Sequence, residues 1–417
     1  MKKFVKVALV SVFVLMLMSL TACRNEGGTV QGITDYVIYV GNTAATSGDF
    51  AFVGGPFNAG IEAYFHRVNN QGGVHGRRIE LVHHDDGFNP VSGLAFTEAL
   101  IHDDRVFALV GHFGTPTIGA TLDLIKSEGI PAVYFAAGIG ALYNQNADTI
   151  ANGRGLFPVQ PIFITEGRIL AARVVEEYDA QTIGVIFTSD EAGHDMLRGI
   201  RYQLTERLGD SFNLVEHQIA PLQADVTSAV LSMYAADVDV VIVATIQATF
   251  IIVANAISTS SLNVPIFTSY VSADPMALVG IAADYNGNDR TFPIYTTAWL
   301  DVVTHLSDAL DFIAGMEEFG QAELAMSAFA MAGWIAGSTF VQGLRATDAN
   351  NITWESFIDA MENTMINLPM ANVIDFSNGR RTGTEDLALL RANMETLEWE
   401  TIHSLESLDA IMQRLGR

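Results

Sequence analysis

The chain predicts an α/β fold of two doubly wound lobes, and three observations predict it. From Tyr36 onward, β-branched apolar runs alternate with helical patterns, the signature of a parallel sheet with crossover helices. The alternation pauses at a Gly/Asn-rich segment, residues 144–155, and then restarts. At 417 residues the chain also exceeds what one ordinary core holds.

Taken in order, the first half offers strands at residues 36–40, 78–82, 106–110 and 132–135, with helices near 55–69, 91–101 and 117–127. The turn from the first helix to the second strand is the most legible stretch. Asn69, Asn70, Gly72, Gly73 and Gly76 tolerate the left-handed backbone that closes a helix and turns the chain. Arg78 to Asp86 then reads as a short strand with an acidic end, leading through Gly87-Phe88-Asn89-Pro90 to another helix. The second half offers strands at 182–187, 212–217, 238–243 and 264–267, separated by helices near 191–208, 226–235 and 249–258. The tail, from about Phe292, carries helices near 303–319, 323–344 and 354–363. Residues 324–341 form an uncharged run of spanning length, but they are rich in Ala, Gly and Ser, which suits a helix buried inside a lobe.

The N-terminus reads as an export signal. Lys2, Lys3 and Lys6 precede an apolar run from Val7 to Leu20, too short for a comfortable membrane span. The run ends in Leu20-Thr21-Ala22-Cys23, which resembles the lipobox of bacterial lipoproteins. That resemblance implies cleavage before Cys23, acylation of its sulfur, and a tether over residues 23–32. Cys23 is the sole cysteine, so no intramolecular disulfide forms. The hydrophobic content of 49% excludes disorder. The formal charge is −25, and loss of three lysines and no acid with the signal (residues 1–22) takes it to −28. Such a balance argues against nucleic acid and against electrostatic adhesion to anionic lipid, leaving an acyl anchor to meet the bilayer.

The string from Asn69 to Pro90, with the order and spacing of Gly72, Gly73, Gly76, Glu80, Asp85, Asp86 and Pro90, closely resembles the first βαβ unit of the branched-chain amino acid (Leu/Ile/Val)-binding family. These are type I periplasmic solute-binding proteins of ABC transporters. The resemblance implies three crossover segments, near 155–162, 284–293 and 365–380. It implies an N-terminal lobe of residues 33–156 plus 290–368 and a C-terminal lobe of 157–289 plus 369–417. It also implies an extracytoplasmic, lipid-anchored protein that captures a small organic solute by hinge closure and hands it to an ABC permease. A ligand-sensing lipoprotein of the same fold is the alternative.

In open α/β sheets, ligands sit beyond the carboxyl ends of the strands. Those ends are the loops 46–53, 111–117, 136–140, 188–195, 244–247 and 268–272. In Gly111-His112-Phe113-Gly114-Thr115-Pro116-Thr117 a helix N-terminus supplies free N–H groups and a positive dipole end. The resemblance gives Thr115 the hydroxyl that meets a ligand carboxylate, although a simple cap by Thr115 or Thr117 fits the same pattern. The other family positions depart from an amino acid site. Ala136, Ala137 and Gly138 stand where a threonine commonly helps, Ala192 replaces a tyrosine, and Tyr270 replaces the acid that pairs with an α-ammonium. Without that acid a buried ammonium lacks a partner. Phe52 and Phe113, with Phe50, Tyr134, Phe135 and Tyr270, offer an apolar or aromatic cleft; Tyr134 and Phe135 close a buried strand. Asp190 and Gln247 are further polar contacts. The expected solute is amino acid-like, an amide or an aromatic acid.

No catalytic machinery, cofactor or metal is expected. His83 and His84 are adjacent on a strand and point to opposite faces, so they do not converge on one ion. Thr188-Ser189-Asp190-Glu191 lacks a glycine elbow and a positioned histidine, and reads better as a helix cap. No phosphate loop or dinucleotide fingerprint is present, and an extracellular hydrolase is disfavoured by the missing triad.

Overall fold

A computed structural model describes residues 30–209, 211–285 and 292–416. The signal segment, Cys23, most of the tether and most of the crossover near 284–293 lie outside the described residues.

The first sheet is built by β1 (Val37–Ala44), α1 (Ala51–Asn70), β2 (Arg78–Asp85), α2 (Pro90–His102), β3 (Ala108–Phe113), α3 (Thr115–Glu128), β4 (Ala132–Ala136) and β5 (Leu156–Phe157). Its order is β2-β1-β3-β4-β5, and all pairings are parallel. The chain then runs through α4 (Phe163–Tyr178), β6 (Thr182–Thr188), α5 (Glu191–Tyr202), β7 (Asn213–Ile219), α6 (Thr227–Ala235), β8 (Val240–Ala244), α7 (Gln247–Ser258), β9 (Ile266–Thr268), α8 (Pro275–Tyr285) and β10 (Ile294–Ala298). Three helices follow, α9 (Leu306–Phe319), α10 (Ala328–Ala346) and α11 (Trp354–Asn363), then β11 (Leu387–Asn393), β12 (Glu398–Glu406) and α12 (Leu408–Arg414). The second sheet has the order β12-β11-β10-β9-β8-β6-β7, parallel except for the antiparallel ribbon of β10, β11 and β12. Two mostly parallel sheets, each covered by helices, make the two-lobe α/β architecture that the sequence predicts.

One boundary needs correcting. The expected first lobe took up the chain again at residue 290, but β10 pairs in register with β9, Ile294 opposite Ile266, and so extends the second sheet. The chain returns only after Ala298. Helix α4 and the β11–β12 hairpin were not anticipated either, because linker-like residues precede the one and charged, one-sided strands form the other.

Helix α10 is the returning element, and it is a lobe helix as its Ala/Gly/Ser content suggests. Met331, Trp334, Ile335, Phe340 and Leu344 are all buried. Glycines let it press onto α1: a Cβ on Gly333 would lie 1.9 Å from the Phe57 carbonyl oxygen, and one on Gly60 2.0 Å from that of Ala330. Such contact distances admit no side chain at either position. Among the described residues no helix is long and apolar enough to cross a membrane.

Candidate functional site

The carboxyl ends of both sheets face a common cleft, which encloses a cavity of about 370 Å³. This falls within the usual range for small-molecule sites, roughly 300–1,000 Å³.

One wall belongs to the first sheet. Phe50, Val53 and Phe57 line the cavity at helical spacing along the start of α1. Phe50 stacks on Phe88 with centroids 3.8 Å apart, and Phe57 and Phe88 tilt against Phe113 at 5.8 and 6.2 Å. Gly114 follows β3 with φ +96°, a left-handed backbone that suits glycine, and turns the chain so that α3 begins at Thr115 facing the cavity. Thr117 is committed elsewhere, its hydroxyl donating to Asp86 at 3.2 Å, while the 5% exposed Thr115 is at the cavity surface.

The opposite wall belongs to the second sheet and its connections. Gln247 opens α7 and lines the cavity at 2% exposure, and neither its Nε2 nor its Oε1 has a hydrogen-bond partner. A buried amide in that state costs about 1–3 kcal/mol, which a ligand with a complementary donor and acceptor would offset. Tyr270 is held by a chain of bonds. Tyr134 Oη donates to Gln160 Oε1 (3.2 Å), Gln160 Nε2 to Tyr270 Oη (2.9 Å), and Tyr270 Oη to the Pro161 carbonyl (3.0 Å). Tyr134 adopts φ +62° while fully buried, a strained backbone for a non-glycine residue, and so aims its ring from β4 toward this chain.

Behind Tyr270 lies Glu166, on α4 and fully buried. Its carboxylate accepts from Ser269 Oγ (2.8 Å), the Tyr270 backbone N–H (2.7 Å) and the Thr297 hydroxyl. Burial pushes its pKa up to about 7, with the three donors opposing that shift.

Of the expected site residues, Phe113, Gly114, Thr115, Ala136, Ala137, Gln247 and Tyr270 come together around the cavity. Phe52, Pro116, Gly138, Asp190 and Ala192 do not line it. Phe52 points away and is 43% exposed, because the helical period of α1 turns Phe50 and Phe57 inward instead. Pro116 sits in the first turn of α3. Gly138 makes room, since a Cβ there would lie 2.9 Å from Tyr270 Oη. Asp190 is the N-cap of α5, accepting from Gly193 N–H (3.0 Å) and Thr188 Oγ1 (2.6 Å), and Ala192 is buried within that helix. Lining residues that sequence reasoning missed include Val53, Phe57, Phe88, Gln160 and Phe163 and, from the tail, Trp299, Leu300, Phe329, Met331 and Trp399, together with Asp301 and Glu398. Asp301 accepts from Val303 and Thr304 N–H, and Glu398 is exposed.

The histidines of β2 diverge. His83 bonds Thr46 and Asn42, whereas His84 pairs with Asp104 and stacks on Phe96. His112 lies in the first lobe's interior between Thr97 and Thr121, and burial lowers its pKa to about 4.

A cleft of this kind between two doubly wound sheets defines a bilobal ligand-binding protein. A family model described as "Periplasmic binding protein" matches residues 37–396, and the chain belongs to that family. An "Amino acid binding protein" of Pseudomonas aeruginosa is 27% identical over 195 residues, 46% of this chain and 49% of that protein, so the match spans about half the length of that relative. Among solved structures, a fatty acid ABC transporter substrate-binding protein from Thermomonospora curvata superposes with a TM-score of 0.77 at 18% identity, covering 92% of this chain and 95% of that one. A branched chain amino acid ABC transporter protein from Thermus thermophilus, with bound valine, gives 0.76 at 16% identity over 92% and 99%. At these identities the two structures speak for the fold, the two-lobe periplasmic binding protein fold.

Proposed function

We propose that this chain is the extracytoplasmic solute-binding component of an ABC importer, and that its solute has an apolar body and a neutral or anionic polar end. Family membership and the cleft between two lobes support the binding role. The observation that carries the solute class is the cavity wall. Phenylalanines 50, 57, 88 and 113 and Trp299 surround it, no Lys or Arg lines it among the described residues, and the orphaned amide of Gln247 waits opposite Thr115. Tyr270 stands where an amino acid site would hold an acid, and its hydroxyl is already bonded. Of the two lining acids, Glu398 is exposed and Asp301 is committed to its own turn, so an ammonium there gains little. Relatives of the fold that take a fatty acid and valine bracket this choice, and the wall favours the monocarboxylate or amide over the zwitterion.

Binding would close the lobes over the solute, and the closed form would be what a permease recognises. Thermal-shift screening against aromatic acids, medium-chain fatty acids, amides and amino acids tests the reading. A ligand at 100 times its dissociation constant stabilises by about 2.7 kcal/mol. Calorimetry giving micromolar leucine or valine binding would overturn the solute class. A bound solute that leaves the small-angle scattering radius unchanged would remove the closure mechanism.

The lipobox-like Leu20-Thr21-Ala22-Cys23 supports an acyl anchor at Cys23. Cys23→Ser should release soluble protein from the membrane fraction, and unchanged detergent partitioning of that variant would rule the anchor out.

A further inference from the structure

Asp274 joins the two lobes at the cavity wall. It lies between β9 and α8, in the lobe of the second sheet, and is 3% exposed. Its Oδ1 accepts from the Met276 backbone N–H at 2.9 Å, in the first turn of α8. Its Oδ2 accepts from Ser327 Oγ at 3.1 Å and from the Ala328 backbone N–H at 3.0 Å, at the start of α10, which packs on α1 in the other lobe. One carboxylate therefore serves the N-terminal N–H groups of a helix in each lobe. The residues beside these contacts, Ala273, Pro275, Ala328 and Phe329, line the cavity. Trp399 adds a bond from its indole N–H to the Asp274 carbonyl at 3.4 Å.

The electrostatics favour this arrangement. A helix N-terminus presents unpaired N–H groups and a partial positive charge, and an anion placed there is stabilised. The bonds to Met276 are local to one lobe and persist whatever the hinge angle. Those to Ser327 and Ala328 require both lobes together, because the two partners belong to segments that share no sheet. If the lobes part, α10 exchanges its capping anion for water and Asp274 keeps only α8. Burial raises the Asp274 pKa, and the hydrogen bonds from Met276, Ser327 and Ala328 oppose that, so contact between the lobes is part of what supports the buried anion.

We propose that Asp274 is the positioning residue for closure: by capping α8 and α10 at once, its carboxylate stabilises the closed arrangement of the lobes and holds the cavity wall in place. The feature goes beyond capture of a particular solute, and its test needs none.

Spin labels attached at Val91→Cys, on α2 of one lobe, and Leu231→Cys, on α6 of the other, report the distance between lobes in the Cys23→Ser background; both sites are exposed. Asp274→Ala and Ser327→Ala are compared with the parent, without solute, by pulsed electron paramagnetic resonance. Ser327→Ala leaves the α8 cap intact and removes a partner across the cleft together with the Ser327 N-cap bond to Ala330 N–H on α10. Both variants should raise the ratio of open to closed distances, Asp274→Ala by roughly fivefold or more and Ser327→Ala by less. A purely local capping role would lower the melting temperature and leave the distance distribution where it was. Folded variants with the parent distribution overturn the proposal. Should Asp274→Ala fail to fold, Ser327→Ala decides alone, and an unchanged distribution there overturns it equally.

Discussion

The two walls of the cleft are built on different principles. On the first lobe the cavity meets aromatic rings, with Phe50 and Phe88 stacked and Phe57 and Phe113 packed around them, and polar groups nearby are satisfied within the lobe. Asn42 bonds Asn58, His112 sits between two threonines, and Asp86 takes the Thr117 hydroxyl. The second lobe's wall includes Phe163, Ile246 and Val271 but adds polar groups: Gln247 has no partner, Tyr270 hangs on a chain of hydrogen bonds, and a buried carboxyl accepts from the Tyr270 N–H. Shape recognition is thus concentrated in one lobe. Sensitivity to hydrogen bonding and protons is concentrated in the other.

The sharpest way to break this contrast is to hollow the aromatic wall. Phe57 is 2% exposed, and Phe57→Ala should cost about 3–5 kcal/mol of stability in denaturant melts. A loss below about 1 kcal/mol would mean that the wall is not packed as a core.

Glu166 tests the other wall through pH. Below its ordinary value of 4.5 the carboxyl is protonated in folded and unfolded chains alike, and its burial carries no ionisation cost. Between 4.5 and about 7 the unfolded chain releases the proton while the folded chain keeps it, so this group makes stability fall as pH rises. Above that window the full effect, ~3 kcal/mol, is present. The stability of the parent relative to Glu166→Gln should fall by that amount across the window, and a pH-independent difference would contradict a raised pKa for the buried carboxyl.

Gln247→Leu separates folding from binding. Removing an orphaned amide should stabilise the solute-free protein by about 1 kcal/mol while weakening solute binding. If stability also drops, the amide has a partner in solution. On the aromatic side, Thr115→Ala should weaken binding by about 1–3 kcal/mol by calorimetry if the hydroxyl meets a charged oxygen, with little change in melting. Equal affinities would reduce Thr115 to a residue of the first α3 turn.

The same contrast explains what was legible in the sequence. The first lobe announces itself locally. Asn69 to Gly76 closes one helix and turns into β2, and Gly114-Thr115 follows a strand into a helix, so Phe113, Gly114 and Thr115 could be placed from neighbours in the chain. Phe52 was misjudged because residues 46–53 read as a loop before a helix near 55–69, whereas α1 begins at Ala51 and its period brings Phe50, Val53 and Phe57 inward. Gln247 and Tyr270 were reachable because they stand two or three residues past the ends of β8 and β9 in the restarted alternation. Asp190 fits a ligand contact or a cap by type alone, and only the bond to Gly193 distinguishes them. Trp299, Phe329 and Trp399 had no local signal, since they reach the cleft through long-range returns of the tail.

Those returns also govern how the chain can be assembled. The first lobe's core is closed by α10 lying on α1, two helices separated by about 260 residues of chain. At roughly 5–20 residues per second, a ribosome needs about 13–50 s to make that interval. Until α10 emerges, the face of α1 that carries Phe57 and Gly60 has no cover, and loop closure over such a span is slow. A nascent chain that cannot complete its first globule early keeps that apolar face open to holding chaperones until the tail arrives.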